Sequence, residues 1–467
     1  MAAIAAGVFL RIWMLHKFFE VSGDSQIYGG LAKNLLLHGR YAVSDGSGVL
    51  HSTLIRLPGY PLFLAACFRL FGMENYFFAA CIQIILEMIG CVLIALFAAR
   101  VSPAPFRVRA AQATLWLAAL CPFTAIYAAE PLTEGPTVFA IALALWALAR
   151  YRDTGGWGSA LSFTVAVTYA ALLRPDGALV GVALLLPMLL APMHGMEPVA
   201  KGGGRNGFIG FELLIPHLRR IVVCLLLALA PFAIWTARNW SVFHVFQPLA
   251  PRYATDPGED TWPGWQRWVK TWCVDFVSTY QVYWDMPGGP LDLNQLPTRA
   301  IDSAAQSQET AKLFADYEAN GDEMSQELDA RFGQLADERI ASHPLRSHIM
   351  LPLSRMADMW IRPRVENLPI DLDWWVYKHH HVETRFSWFY AGLNAVYLLL
   401  GLIGLFLRPR LWPWMLLYIA LRSALLCTIE APEARYTIEC FPMLFVLGGI
   451  ALGRLSAHVG KRATVRP

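Results

Sequence analysis

Long apolar runs separated by short polar stretches dominate this chain. Ten of them, at roughly 3–19, 76–98, 109–127, 133–149, 158–174, 177–193, 219–237, 388–407, 411–428 and 437–453, approach the ~20 residues a helix needs to cross about 30 Å of hydrocarbon. Each run is continuously apolar rather than alternating. Lipid admits only backbones that satisfy their own hydrogen bonds, so the pattern predicts helices and not barrel strands. Two intervening segments are long. The first, 20–75, is semi-apolar. In it Ser22 and Asp24 are cap candidates for a helix that places Ile27, Tyr28, Leu31 and Leu35 on one face, and Gly39 can end it. Gly59 to Phe71 follows Pro58, is apolar and is too short to span. Both stretches predict helices lying at the membrane interface. The second segment, 239–387, is polar, rich in tryptophan and punctuated by proline, with a charged, helical middle over 299–342. The expected organisation is therefore a transmembrane module over 1–238, an extracytoplasmic region over 239–387, and C-terminal helices with a tail over 388–467.

Composition agrees with the pattern: 56% of the 467 residues are hydrophobic, 16% are charged, and mean hydropathy is +0.41. A soluble chain carries nearer a quarter charged residues. The net charge of +3 comes with no basic tract, which argues against nucleic acid. Of eight cysteines only Cys273 falls in the long polar region, so no disulfide framework is expected there. The N-terminus is apolar almost from Met1 and reads as a retained first span rather than a signal peptide. One set of loops carries Arg100, Arg107 and Arg109; Arg150 and Arg152; Lys201, Arg205, Arg219 and Arg220; Arg408 and Arg410; and Arg454, Lys461, Arg462 and Arg466. Those loops are expected to be cytoplasmic, with both termini inside. The glycines of Lys201-Gly-Gly-Gly-Arg205 lack the spacing of a phosphate cradle and read as a flexible loop.

That topology puts acids and arginines together on the opposite face, at the outer ends of helices. They are Asp24, Arg56, Glu130, Glu134, the turn Arg174-Pro175-Asp176-Gly177, Arg238 and the segment Glu433-Ala434-Arg435-Tyr436. Charge near lipid is costly and marks function by default. Arginine donates paired hydrogen bonds to phosphate, and a neighbouring carboxylate can serve as general base toward a hydroxyl. Each residue also has a plainer explanation. Asp24 is a good helix cap. Arg174-Pro175-Asp176-Gly177 has the composition of a solvated turn. Glu130 and Glu134 complement a helix N-terminus. Arg11, inside the first run, is expected to snorkel or pair. The run His379-His380-His381 reads as a solvated stretch rather than a metal site, since consecutive residues do not share a helix face. Trp262, Trp265, Trp268, Trp374 and Trp375 suit interface anchors or sugar platforms.

With these residues in view the chain resembles the GT-C superfamily. More narrowly it resembles the family-39-like bacterial branch related to protein O-mannosyltransferases and the lipid A aminoarabinose transferase. The resemblance runs almost end to end. It rests on Asp24-x-x-x-Tyr28, Ala32-Lys33-Asn34-Leu35-Leu36 with Gly39, Arg56-Leu57-Pro58-Gly59-Tyr60-Pro61, Thr133-Glu134, Leu173-Arg174-Pro175-Asp176-Gly177, Ala237-Arg238-Asn239-Trp240 and Glu433-x-Arg435-Tyr436, in that order. It implies an all-α polytopic membrane protein of GT-C fold with about ten transmembrane helices. It also implies interfacial helices in the first outer loop and a mixed extracytoplasmic region between the seventh and eighth spans. The implied activity is an inverting glycosyltransferase of the inner membrane that moves a sugar from a polyprenyl-phosphate donor to an extracytoplasmic acceptor.

In that reading Asp24 is the base. Arg56, Arg174 and Arg435, with Tyr28, Tyr60 and Tyr436, bind the donor phosphate and substrate. Glu134, Glu130 and Asp176 position the acceptor or the base. The partners are the lipid-linked donor, the bilayer and an acceptor the sequence does not identify, with no cofactor. Two departures from the family pattern stand out: Ser25 follows Asp24 where many relatives carry a second acid, and Leu57 replaces a proline. The first argues against a required metal. A transporter or flippase of lipid-linked substrates, or a non-catalytic scaffold on the same fold, are the alternatives. A transporter would show internal repeats and mid-membrane polar sites, and no repeat is evident.

Overall fold

In a computed structural model of the protein, residues 1–21, 23–190 and 208–463 are described, with backbone alone at 208–217 and 458–463. Ser22, the glycine-rich stretch 201–205 and the tail from 464 lie outside the described residues. The chain divides into two compact units. One comprises Met1–Gly258, Val396–Ala420 and Ile438–Pro467; the other comprises Glu259–Ala395 and Leu421–Thr437.

The first unit is helical. In order it contains α1 (Ala2–Phe18), α2 (Asp24–His38), α3 (Gly59–Phe71), α4 (Tyr76–Val101), α5 (Arg107–Ala119), α6 (Pro122–Ala125), α7 (Glu134–Thr154), α8 (Trp157–Leu173), α9 (Ala178–Leu189) and α10 (Phe208–Phe243). Parts of helices His381–Phe406 and Trp412–Leu426 and the final helix Phe441–Ala463 complete it. Among the described residues every predicted apolar run is thus largely helical. Among the described residues four helices are long and apolar enough to cross a membrane: Tyr76–Val101, Leu218–Phe243, His381–Phe406 and Ala434–Ala457. A fifth is counted if Ala104–Ala119 and Pro122–Ala128, bent by 48° at Pro122, are one span. Trp157–Leu173, Pro175–Leu189 and Trp412–Leu426 are apolar helices of 10–17 residues, whereas Glu134–Thr154 has 21, so run length alone does not fix the number of full crossings.

Side-chain environment separates two kinds of helix. The best window of Leu218–Phe243 has a mean hydropathy of 2.1, yet only 17% of it is buried. Leu225, Leu226, Leu229 and Ile234 point outward. An apolar surface of this kind is at home in lipid, where no hydrophobic drive opposes its exposure. The last span, Ala434–Ala457, is 83% buried, and glycine makes that burial possible. A Cβ on Gly449 would lie 2.0 Å from Thr114 Oγ1, and one on Gly453 2.6 Å from the Ala110 nitrogen. One on Gly404 would lie 2.0 Å from the Leu447 carbonyl oxygen. Without bulk at these positions three backbones come close enough for dispersion contacts to hold them. Inside the same bundle Arg11 pairs with Glu87 at 2.8 Å, both almost fully buried, and also donates to the Ala119 carbonyl at 2.8 Å. This is the pairing expected of a charge placed within a span.

The segment between α1 and α4 holds the two predicted helices, α2 and α3, and also a hairpin that periodicity did not reveal. Strands β1 (Ala42–Ser44) and β2 (Leu50–Ser52) pair antiparallel with Val43 opposite His51. The turn is built by Asp45, whose Oδ1 accepts the Ser47 and Val49 N–H groups at 2.9 Å each. Arg238 clamps this hairpin. Its guanidinium donates to the Thr53 and Tyr41 carbonyls at 2.7 and 2.8 Å and lies 5.2–5.5 Å from the rings of Tyr41, Trp235 and Phe243.

The second unit has its own core, centred on helices Pro263–Lys270, Ala304–Ala319 and Gln326–Ser342. Trp265, Trp268 and Trp272 are fully buried there against Phe314 and Phe332. Trp265 and Trp268 are therefore core residues, not membrane anchors or sugar platforms; Trp375 alone of the five singled out is more than half exposed. The Asp329 carboxylate caps the first of these helices by accepting the Gly264 and Trp265 N–H groups at 3.0 and 2.8 Å. All eight cysteines are free thiols.

Replacing Gly449 with Val is expected to cost about 3 kcal/mol or more, the upper end of overpacking penalties. Gly392→Ala, where an added Cβ meets nothing within 4 Å, is expected to be neutral or slightly stabilising. Thermal unfolding in detergent compares the two, and equal behaviour would refute glycine-dependent packing of the last helix.

Candidate functional site

Close backbone approach builds the site. Gly59 opens α3, and a Cβ there would lie 2.5 Å from the Leu172 carbonyl oxygen near the end of α8. Glycine lets the start of α3 rest directly on that helix end. Arg174 follows immediately in extended conformation, and Pro175-Asp176-Gly177 turns the chain into α9. Gly177 is pressed against α8 in the same way, its Cβ position 2.1 Å from the Ala170 carbonyl oxygen. The arginine's orientation is thus set by two glycine contacts and one proline.

Its guanidinium meets three carboxylates. Nη1 lies 3.0 Å from Glu134 Oε1, and Nε lies 3.1 Å from Glu439 Oε1 and 3.3 Å from Asp176 Oδ1. Glu134, in the first turn of α7, and Glu439, just before the final helix, are each 1% exposed. Charges taken out of water this far require a partner of opposite sign. Glu439 was not singled out from the sequence. The available signal was a glutamate inside an otherwise apolar stretch that opens the last span.

The second pair stands at the start of α2. Asp24 Oδ1 accepts from Arg56 Nη2 at 2.7 Å, and the two side chains keep 30% and 23% exposure. The plainer role for Asp24 is not the one observed: the N-cap of α2 is Gly23, and no side chain caps it. One turn further on, Tyr28 lies under the Arg56 guanidinium, 6.0 Å from ring centroid to Cζ, and meets the Tyr60 ring edge-on at 5.1 Å. Burial above all pushes the Tyr28 hydroxyl up to about 12, with Asp24 and Glu134 adding to the rise and Arg56 and Arg174 opposing it. Tyr28 therefore remains a protonated donor at physiological pH, within electrostatic reach of both ion-pair clusters. Tyr60 is fully buried and donates its hydroxyl to Gln83, whose amide donates to the Glu130 carbonyl at 2.9 Å. Glu130 thereby joins this network through its backbone.

Arg435 and Tyr436 fall in the second unit. There Arg435 Nε pairs with Glu433 Oε2 at 2.6 Å, and the Tyr436 hydroxyl donates to the same carboxylate. The segment is held by Arg364, a buried residue with a left-handed backbone (φ 63°). Its guanidinium donates to the Ala434 carbonyl at 2.8 Å, Thr437 Oγ1 at 2.6 Å and Asn394 Oδ1 at 3.2 Å. Nothing in Ile361-Arg-Pro-Arg-Val365 announces this role, because the contacts are long-range. Of the histidine run, His379 and His381 are exposed and His380 is not.

No family model and no curated protein matches the chain. Among solved structures it is similar to crystal structures of ArnT from Cupriavidus metallidurans. One, bound to undecaprenyl phosphate, is 14% identical, with 99% of this chain and 78% of that chain covered and a TM-score of 0.37. The other, in the apo state, is 15% identical, with 99% and 77% covered and a TM-score of 0.39.

Arg174→Met is expected to destabilise the protein by about 3–5 kcal/mol, the range for breaking a buried pair. Combining it with Glu134→Gln is expected to recover part of the loss. A double-mutant cycle on unfolding in detergent measures the coupling, and simple additivity would show that the contact carries no energy.

Proposed function

We propose that the protein is a membrane glycosyltransferase of the GT-C type, transferring a sugar from a polyprenyl-phosphate donor to an acceptor on the extracytoplasmic side. The observation that carries this reading is the Asp24–Arg56 pair at 2.7 Å, partly exposed beside Tyr28. Asp24 is not spent on capping its helix. A partly solvated carboxylate beside a guanidinium supplies a proton acceptor next to a phosphate ligand.

In the proposed reaction Asp24 takes the proton of the acceptor nucleophile. The nucleophile's electron pair forms the new bond to the anomeric carbon. The bond from that carbon to the phosphate oxygen breaks with both electrons leaving on polyprenyl phosphate, and attack from the opposite face inverts the configuration. Arg56 and Arg174 stabilise the charge that grows on the leaving phosphate, and Arg435 is included in that role on the strength of its motif. The Tyr28 hydroxyl donates to substrate. Tyr60 supports Tyr28 from below, and Tyr436 is assigned to substrate binding by its motif. Glu134 and Asp176 hold Arg174 in orientation, while Glu130 braces the Tyr60–Gln83 network. The donor's lipid tail stays in the bilayer while its head group reaches the residues.

Asp24→Asn is expected to lower turnover of the accepted donor by about 10²–10⁴-fold, the usual worth of a general base. The measurement is release of polyprenyl phosphate from a panel of polyprenyl-phosphate sugars in membrane extract. Equal release by the variant would remove Asp24 from the mechanism, and no release by folded wild type across the panel would overturn the reading.

A further inference from the structure

The second unit carries an apolar helix face that its own core does not use. A wide helical turn, Arg346–Met350, leads into helix Leu351–Ile361. Leu351, Arg355 and Met359 form the inward face and are buried, and Arg355 donates to the Lys270 and Cys273 carbonyls at 2.9 and 3.0 Å. The other side presents Leu345, Ile349, Met350, Leu353 and Ile361, each at least half exposed. Between Ile349 and Ile361 the only charged residues are Arg355, turned inward, and Asp358, paired with Arg362 at 3.2 Å. A stripe of large apolar side chains at helical spacing is a surface built to be covered.

The way this helix ends indicates what covers it. The last carbonyls of a helix have no partner within it. Here the Met359 carbonyl accepts from Arg364 Nη2 at 3.1 Å and from the Thr437 hydroxyl at 3.3 Å. The Trp360 and Arg362 carbonyls accept from Asn394 Nδ2 at 2.7 and 3.3 Å. Irregular backbone is tolerated at membrane depth only where protein groups satisfy it in this way. The same contact sets the depth. Asn394 is buried six residues inside the apolar run that begins at 388, about 9 Å along a helix that rises 1.5 Å per residue. The Trp360 indole donates to Ser423 Oγ at 3.1 Å, so a second apolar helix, Trp412–Leu426, holds the same end. At this level Trp388 and Phe389 of His381–Phe406 are also exposed.

We propose that Leu345–Ile361 docks the second unit on phospholipid, with Leu345, Ile349, Met350, Leu353 and Ile361 sunk among the acyl chains of the leaflet on that unit's side. The depth read from Asn394 falls within the roughly 5–10 Å that interfacial helices reach. The charge nearest the inserted end is neutralised as such a place requires: Arg362 meets Glu366 at 2.6 Å as well as Asp358. The inference does not depend on the proposed glycosyl transfer. It narrows the extracytoplasmic region expected over 239–387, because this part of it lies in the bilayer rather than above it.

The test uses the full-length protein in phosphatidylcholine liposomes, with an environment-sensitive fluorescent amino acid in place of Leu353, of Phe389 on the apolar span, or of Glu338, an exposed residue of helix Gln326–Ser342. Quenching by a lipid with a doxyl group on its acyl chain is compared with quenching by iodide in the water. The label at Leu353 is expected to follow the one at Phe389: severalfold stronger doxyl quenching and severalfold weaker iodide quenching than at Glu338. If replacement of Leu353 prevents folding, Ile349 takes its place with the same expectation. A label at Leu353 that follows Glu338 in both measurements would overturn the proposal. So would one shielded from both quenchers, since a second copy or another protein would then cover the stripe.

Discussion

One guanidinium, that of Arg174, anchors the candidate site. It is shared by Glu134 from the start of α7, Glu439 from just before the last helix, and Asp176 from its own turn. Two of these carboxylates have almost no solvent contact, so the cost of burying them is offset only while the arginine stays in place. This ties helices distant in sequence to one point. It also makes the point sensitive to backbone position, which explains the glycines around it. Gly59 and Gly177 let α3 and the Arg174 turn rest on the backbone of α8 at distances no side chain would permit. The Asp24–Arg56 pair then stands at the beginning of α2 and the approach to α3, braced through Tyr28 and Tyr60.

Much of the helical architecture was legible because lipid imposes a simple rule: apolar runs of sufficient length become helices. Run length was less legible as span count. Pro122 bends one run, and several others yield helices shorter than a full crossing. The hairpin of Ala42–Ser52 escaped periodicity because three-residue strands are too short to show alternation, although Asp45-Gly46-Ser47-Gly48 was a turn signal. Asp24, Arg56, Glu134, Arg174 and Asp176 were readable as charges at helix ends, and the structure forms ion pairs among them. Their pairing was not readable, since Arg56 meets Asp24 across 32 positions and Arg174 meets Glu134 across 40.

Other residues went unseen for the same reason. Glu439 and Arg364 act through partners far along the chain, and an isolated charge in an apolar or loop context does not say which partner it will find. The tryptophans show the converse error. Their chemistry suits an interface or a sugar, but Trp265, Trp268 and Trp272 fill the core of the second unit. That unit needed a hydrophobic centre of its own, and large aromatic side chains supply it efficiently.

The central claim is that the outer charges recognise a lipid-linked phosphate, and binding tests it more directly than turnover. Affinity for a polyprenyl phosphate should be compared with affinity for the corresponding polyprenol, by native mass spectrometry, in wild type and Arg56→Gln. The expected result is a strong preference of wild type for the phosphate, weakened at least about tenfold, or roughly 1.4 kcal/mol, in the variant. Equal affinity for phosphate and alcohol in wild type, or an unchanged preference in Arg56→Gln, would contradict it.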